Sequence, residues 1–262
     1  MSTFPLTKDN YFSVKANEAY WSVSQFKSFD KCEAAGLAEA MGRYTREQTD
    51  ALLIGSYVDA YFSGSRALDE FCERHRDEMF TKKGELYAKF RDADKMINAI
   101  EGQSLMMEYL EGEKQVVMVA EIFGVPWKAK LDVFNGERIV DMKTVKDFGD
   151  IWDPSYGRRS WIEYWGYDVQ GAIYQKVVEY QTGKQLPFYI VAVTKEKVPD
   201  VAVIEIPQHV LDAAYHMVEA KIERFELIKT GEVDPIRCEV CDYCKGTKIL
   251  SVPSVYEIEE AK

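Results

Sequence analysis

The chain has 262 residues, 47% of them hydrophobic and 13% aromatic, enough to bury a substantial core in one domain or in one domain with a small appendage. Its 44 acidic residues against 33 basic ones leave a net charge of −11, which excludes a broad basic coat and confines any nucleic-acid contact to a local patch, a bound metal or the inner surface of an oligomer. No apolar stretch is long enough to span a bilayer, and Met1-Ser2-Thr3-Phe4-Pro5-Leu6 lacks a charged region followed by an apolar one, so a cytoplasmic protein with no membrane partner is expected.

The N-terminal third reads as helical. Ser24 caps a predicted helix through Phe26, Phe29, Ala34, Leu37 and Ala38, and a second runs from Thr45 to Phe62 with Gly64 as its stop. A charged segment from Leu68 to Lys95 reads as a solvated face and leads into a helix from about Ala88 to Leu110. Val116 to Phe123, bounded by Gly124 and Pro126, is a predicted strand, and Trp127 to Lys143 a predicted hairpin around Asn135-Gly136. After a loop carrying Arg158 and Arg159, two candidate phosphate contacts, Trp161 to Gln181 has helical spacing and stops at Gly183. Phe188 to Thr194 and Val201 to Ile206 are strand candidates, and Pro207 to Thr230 is a long helix ended by Gly231. This order predicts an α/β fold with a central mixed sheet flanked by helices. It forms one domain with a helical part (about 1–112), a sheet core (about 113–206) and a C-terminal helix plus cysteine segment (about 207–262).

The hairpin carries the chemistry. A two-residue turn at Asn135-Gly136 sets Phe134 opposite Glu137, Asp132 opposite Ile139, Lys130 opposite Asp141 and Lys128 opposite Lys143. Alternation then puts Asp132, Asp141 and Lys143 on one face, with the two carboxylates as diagonal neighbours. A tight turn at Gly124-Val125 places Glu121 opposite Lys128 and on that same face, as a third acid. Carboxylates that close repel unless a cation lies between them, and hard oxygen ligands suit Mg²⁺ or Mn²⁺. Such an ion lowers the pKa of a water and clamps a phosphoryl oxygen, while Lys143 orients the water or neutralises phosphate charge, so the pattern points to a metal-dependent phosphodiesterase. The alternative is an exposed strand face with Lys130 and Asp141 as a surface ion pair.

Cys238-Glu239-Val240-Cys241-Asp242-Tyr243-Cys244 fits metal binding in a reducing compartment, with a fourth ligand required from elsewhere in the chain. Cys72 reads as a buried thiol. His75, His209 and His216 read as surface or helix-packing residues.

Several of these features together resemble the PD-(D/E)xK nuclease superfamily, in the branch of RecB-like and RecE-like (exodeoxyribonuclease VIII-like) phage-type exonucleases. Asp132 with Asp141-Met142-Lys143-Thr144 is similar to its paired-acid and lysine signature, and Gln170-Gly171-Ala172-Ile173-Tyr174 to its Gln-x-x-x-Tyr helix motif. The resemblance implies a restriction-endonuclease-like core. Asp132, Asp141 and the Met142 carbonyl would hold the metal, Lys143 would assist the water, and Gln170 and Tyr174 would position the strand. The family's Gly-x-x-x-His pattern falls on Gly55 to Asp59, which puts Asp59 where a histidine ligand is expected. Ser22 to Cys32 resembles the N-terminal stretch of members that carry a [4Fe-4S] cluster, implying Cys32, Cys238, Cys241 and Cys244 as its ligands, with Zn²⁺ or free thiols as alternatives. The implied function is digestion of DNA from double-stranded ends in recombination, with a single-strand annealing recombinase and further copies of the chain, closed into a ring, as partners. A nuclease fold that has lost catalysis and serves in DNA binding or assembly, or a restriction-type endonuclease able to cut closed circles, are the alternatives.

Overall fold

In the computed structural model, which describes residues 4–251 and 253, helices fill the N-terminal third. Met1 to Thr3 and the outermost part of the C-terminal cysteine segment, 252 and 254–262, lie outside the described residues. The helices are α1 (Val14–Ala19), α2 (Val23–Lys31), α3 (Glu33–Ala40), α4 (Asp50–Ser63), α5 (Ser65–Arg74), α6 (Arg76–Met79), α7 (Ala88–Glu101) and α8 (Ser104–Tyr109). Ser22, not Ser24, caps α2, its hydroxyl accepting from the Gln25 amide at 3.3 Å. The single helix predicted through Ala38 is two, because Cys32 is extended (φ −165°, ψ 110°) and separates α2 from α3. Helix α4 starts after Thr49, whose side chain accepts from the Leu52 amide. The charged segment is also helical, since Phe71 and Met79 anchor α5 and α6 on Leu53 and Phe90. Gly102 ends α7 and divides the helix predicted over 88–110.

The strands β1 (Glu113–Ile122), β2 (Val125–Phe134) and β3 (Ile139–Val145) follow, then a small hairpin of β4 (Ile151–Asp153) and β5 (Gly157–Arg159) in place of the predicted loop. Next come α9 (Trp161–Tyr164), α10 (Tyr167–Thr182), β6 (Phe188–Thr194), β7 (Val201–Glu205), α11 (Gln208–Thr230) and α12 (Asp242–Gly246). Left-handed Gly166, φ 62°, separates α9 from α10. The main sheet runs β1-β2-β3-β6-β7, with β3 and β6 parallel and the other pairs antiparallel. The crossover between the parallel strands contains α9 and α10, as a parallel connection requires. One core packs Trp21, Phe26, Trp127, Ile173 and Phe225 together, and another packs Val58, Met96 and Ile97 with Val140, Met142 and Val191. The architecture is therefore the mixed α/β sheet flanked by helices expected from the sequence. No described helix is long and apolar enough to cross a membrane.

Both predicted turns shift. The β2–β3 connection has four residues, 135–138, because the Asn135 side chain accepts the amides of Glu137 (3.0 Å) and Arg138 (3.1 Å) and spreads the turn. Phe134 consequently pairs with Ile139 and Val133 with Val140, a slip of two residues from the predicted register. A slip of two preserves which side chains share a face. The β1–β2 turn is Phe123-Gly124, both at positive φ (57° and 74°), so Glu121 lies opposite Pro126 and not Lys128.

Beyond those two pairs β2 and β3 diverge. In the fork, Trp21 takes over the free edge of β2: its amide donates to the Pro126 carbonyl, and its carbonyl accepts from the Lys128 amide, each at 2.7 Å. Helix α2 starts directly after Trp21 and runs from this fork.

Candidate functional site

Continuing the β2–β3 register past Val133 and Val140 sets Asp132 directly opposite Asp141, where the strands have begun to separate. The Asp132 side chain bridges that gap, its Oδ2 accepting from the Met142 amide at 2.9 Å and its Oδ1 from Gln115 Nε2 at 3.3 Å. A strand residue sends its N–H and C=O toward the same neighbour, so the Met142 carbonyl faces the same gap. The Met142 side chain packs in the core, as the sequence suggests.

Asp141 is 2% exposed. Gln170 Nε2, from α10, donates to its Oδ1 at 2.6 Å, and Tyr174, one turn further along α10, is buried in the core. Gln170 therefore braces the carboxylate from α10. The other oxygen, Asp141 Oδ2, is buried without a hydrogen bond and faces the Lys143 ammonium as an ion pair. Burial pushes the Asp141 carboxyl up to about 7; Lys143 opposes this and Asp132 adds to it. Burial works against the Lys143 charge as well, but Asp141 and Asp132 outweigh it and hold the ammonium protonated.

Helix α4 delivers Asp59 to the same cluster. Its close approach depends on Gly55, where a Cβ would lie 2.5 Å from Thr144 Oγ1 on β3. Burial, then Asp132, pushes the Asp59 carboxyl up to about 7, with Lys130 and Lys143 opposing and Asp141 reinforcing. Glu121 is a correction to the expected ligand set. It is exposed and lies six residues along β1 from Gln115, the partner of Asp132, or about 20 Å at the rise of a strand.

Sequence reasoning missed Gln115 and Lys27. Gln115 meets Asp132 through a left-handed backbone (φ 54°) that no local pattern announces. Lys27, on α2, donates to the Trp165 carbonyl at 2.9 Å and lies 5.6 Å from the Tyr167 ring, which Lys143 also approaches at 5.0 Å. Burial, followed by the Lys143 charge, lowers the Lys27 ammonium to about 8, and Asp141 opposes the shift. Of the two predicted phosphate contacts, Arg158 is exposed, whereas Arg159 faces Asp153 at 3.8 Å and donates to the Glu163 carbonyl.

These residues fit a hard divalent cation. Two carboxylates stand opposite each other, one with a buried oxygen that lacks a hydrogen bond, and a backbone carbonyl faces the gap between them.

A second cluster joins the chain ends. The sulfurs of Cys32, Cys238, Cys241 and Cys244 all lie within 4.8 Å of one another, and among the described residues this is the one such group of three or more His, Cys, Asp or Glu ligands. Cys32 Sγ is 3.6 Å and Cys238 Sγ 3.9 Å from Cys244 Sγ. The Cys241 amide donates to Cys238 Sγ and the Cys244 amide to Cys241 Sγ. Backbone amides, the Val240 N–H foremost, lower the Cys238 thiol to about 6, while burial pushes Cys241 up to about 12. Four converging thiols with amide donors suit a thiophilic metal. Cys72 is half-buried and packs beside Phe71 and Met79, away from this group.

The family described as a PDDEXK-like domain of unknown function (DUF3799) has a model that matches residues 22–247. Among solved structures, a "Putative exonuclease" from Eubacterium rectale is 42% identical to this chain, with a TM-score of 0.91 over 96% of this chain and 97% of that one. The structure of SSO0001 shares 14% identity over 79% of this chain and 89% of that one, and its TM-score of 0.30 carries no argument. No curated protein matches the sequence.

Proposed function

The chain belongs to this PDDEXK-like family, and from that membership and the site geometry we propose that it is a Mg²⁺- or Mn²⁺-dependent DNA nuclease acting from double-stranded ends. The observation that carries the reading is the opposition of Asp132 and Asp141 across diverging strands, with Asp141 Oδ2 buried beside Lys143 and without a hydrogen bond. Asp132, Asp141 and the Met142 carbonyl would hold the ion, with Asp59 at its edge in place of a histidine. When bound, a divalent ion polarises the scissile phosphate and favours deprotonation of the attacking water.

The protein's own groups do the rest. Lys143, kept protonated by two carboxylates, neutralises charge that develops on the phosphate. Gln170 holds Asp141 Oδ1 and so fixes the carboxylate whose other oxygen faces Lys143.

The cysteine quartet supports a structural metal that ties α2 and α3 to the C-terminal segment. A tetrahedral tetrathiolate zinc, with bonds of about 2.3 Å, places its sulfurs about 3.8 Å apart, close to the separations seen here. A [4Fe-4S] cluster, in which each cysteine binds a different iron, is the family-based alternative. Elemental analysis with the visible spectrum separates the two, since zinc is colourless. The end-directed reading carries with it a closed oligomer and a recombinase partner, and light scattering of the full chain tests the first.

The deciding experiment is digestion of end-labelled linear DNA and covalently closed circular DNA with Mg²⁺ or Mn²⁺, using wild type and Lys143→Ala. Loss of linear DNA alone, abolished by the substitution, is expected. Cleavage of circles would make it an endonuclease, and no digestion with either ion would leave a binding or assembly protein.

A further inference from the structure

The register that sets Asp132 opposite Asp141 also sets Lys130 opposite Lys143, and alternation keeps all four on one face. The acids lie at the apex of the fork, and one lysine lies on each arm. Lys143 is tied to Asp141 by its ion pair, whereas Lys130 leans the other way, its ammonium 4.6 Å from the Phe12 ring and 5.8 Å from the Tyr11 ring. Lys130 is thus not the partner of Asp141 that a two-residue turn would make it.

The N-terminal segment that carries these two rings is anchored across both β1 and β2. Lys8 Nζ donates to the Lys114 carbonyl at 2.9 Å, and the buried Lys128 ammonium donates to the Tyr11 carbonyl at 2.5 Å and to Asn17 Oδ1 at 2.7 Å. Tyr11 is buried by this packing, but Phe12 stays 72% exposed. Lys130 is half-buried beside that open ring.

Asp59 and Asp132 are the carboxylates that act on the Lys130 charge, yet among the described residues neither comes within ion-pair distance and its ammonium has no hydrogen-bond acceptor. Lys27 and Lys114 also lie in the field of the site's acids, but each donates to a backbone carbonyl, that of Trp165 and of Leu110. A divalent ion and Lys143 together would balance the charge of Asp59, Asp132 and Asp141. The Lys130 charge is then left for an anion from outside, which under the nuclease reading above is a phosphate of the substrate. We propose that Lys130 is a substrate-contact residue that donates to an oxygen of the phosphate flanking the scissile one, with Phe12 as the residue that positions it. Lys143 serves the scissile phosphate from the other arm, so the pair of lysines fixes two consecutive phosphates across the carboxylates.

The test uses end-labelled duplexes in which a single phosphate near the end is replaced by a neutral methylphosphonate, moved one position at a time. The rate of the first cut is measured under single turnover with Mn²⁺. In the wild type, replacement at one position flanking the cut should slow it roughly tenfold or more, given the usual strength of a hydrogen bond to a charged group. Lys130→Gln should cut the unmodified duplex more slowly by a similar factor and lose nothing further at that position, while staying sensitive at the others. Lys130→Arg should keep the wild-type pattern, and Phe12→Leu should weaken the dependence at that position alone. Binding of the same duplexes by the metal-free full chain, read by fluorescence anisotropy, should show the same pattern without cleavage. A Lys130→Gln protein as sensitive as the wild type at every position overturns the proposal. So does a sensitivity lost equally at all positions, which would make Lys130 only a counter-charge for Asp59 and Asp132. Lys130-dependent discrimination in binding by a wild type that cuts with neither ion keeps the contact and removes the nuclease reading.

Discussion

Asp132 Oδ2 accepts a hydrogen bond from the Met142 amide at 2.9 Å, so a side chain occupies the place of a ladder bond where β2 leaves β3. One acid of the site is thereby fixed to the strand that carries the other acid and the lysine. Asp132→Asn keeps an acceptor for that amide and should melt like the wild type. Asp132→Ala leaves the amide unpaired and should lose about 1–3 kcal/mol of stability. Both should lower cleavage by more than about a hundredfold, as the loss of a metal ligand exceeds that of an outer partner. Chemical denaturation beside a cleavage assay separates the two effects.

Gln170→Leu removes the partner of Asp141 Oδ1 without reaching substrate. Removal of such an outer partner typically costs about 10–100-fold in metal affinity or activity. Titrating cleavage with Mn²⁺ should show a raised metal requirement, and excess Mn²⁺ should restore much of the rate. A loss of rate that Mn²⁺ does not restore would place Gln170 on the substrate instead.

Gly55→Ala drives a methyl group into Thr144 Oγ1 and pushes α4, with Asp59, away from β3. Overpacking of this kind costs about 1–3 kcal/mol. Adding Thr144→Ala removes the clashing oxygen, so the double variant should recover most of the lost stability. The comparison is made by thermal melts of the two variants.

Asp59 and Asp141 are both pushed up to about 7, mainly by burial. An unfolded carboxyl ionises near about 3.9, so between these values the folded state holds more protons. Stability of the metal-free protein should therefore fall as pH rises through that window and be greatest below it. A divalent ion needs the ionised carboxylates, so stabilisation by Mn²⁺ should be larger above about pH 7 than below it. Melts with and without Mn²⁺ on either side of that pH check the sign.

Cys244→Ser and Cys32→Ser should each lower the thiolate-bound metal content and the melting temperature, because a metal held by the quartet would join segments far apart in the chain. Cys72→Ser should leave the metal content unchanged. Elemental analysis of the purified variants decides both points.

Asp132, Asp141 and Lys143 were legible because strand alternation is local and has a period of two. The turn differs from the expected one by two residues, so the same side chains stay together. The turn at Phe123-Gly124 pairs Glu121 with Pro126, six residues along β2 from Asp132, so distance along the strand removes it from the site. Helix breaks at Cys32, Gly102 and Gly166 escape a reading of periodicity, which continues across a single non-helical residue.

The order of the main-sheet strands and long helices, the paired acids with their lysine, and the cysteine run were determined by sequence alone, because each follows from spacing within a few residues. The opening of the site was decided by tertiary structure. Trp21 had to fill the fork, α4 to approach β3 at Gly55, and α2 to bring Lys27 beside Lys143. Those contacts join residues distant in the chain, and packing of the whole core sets them, not the conformational preference of any one segment.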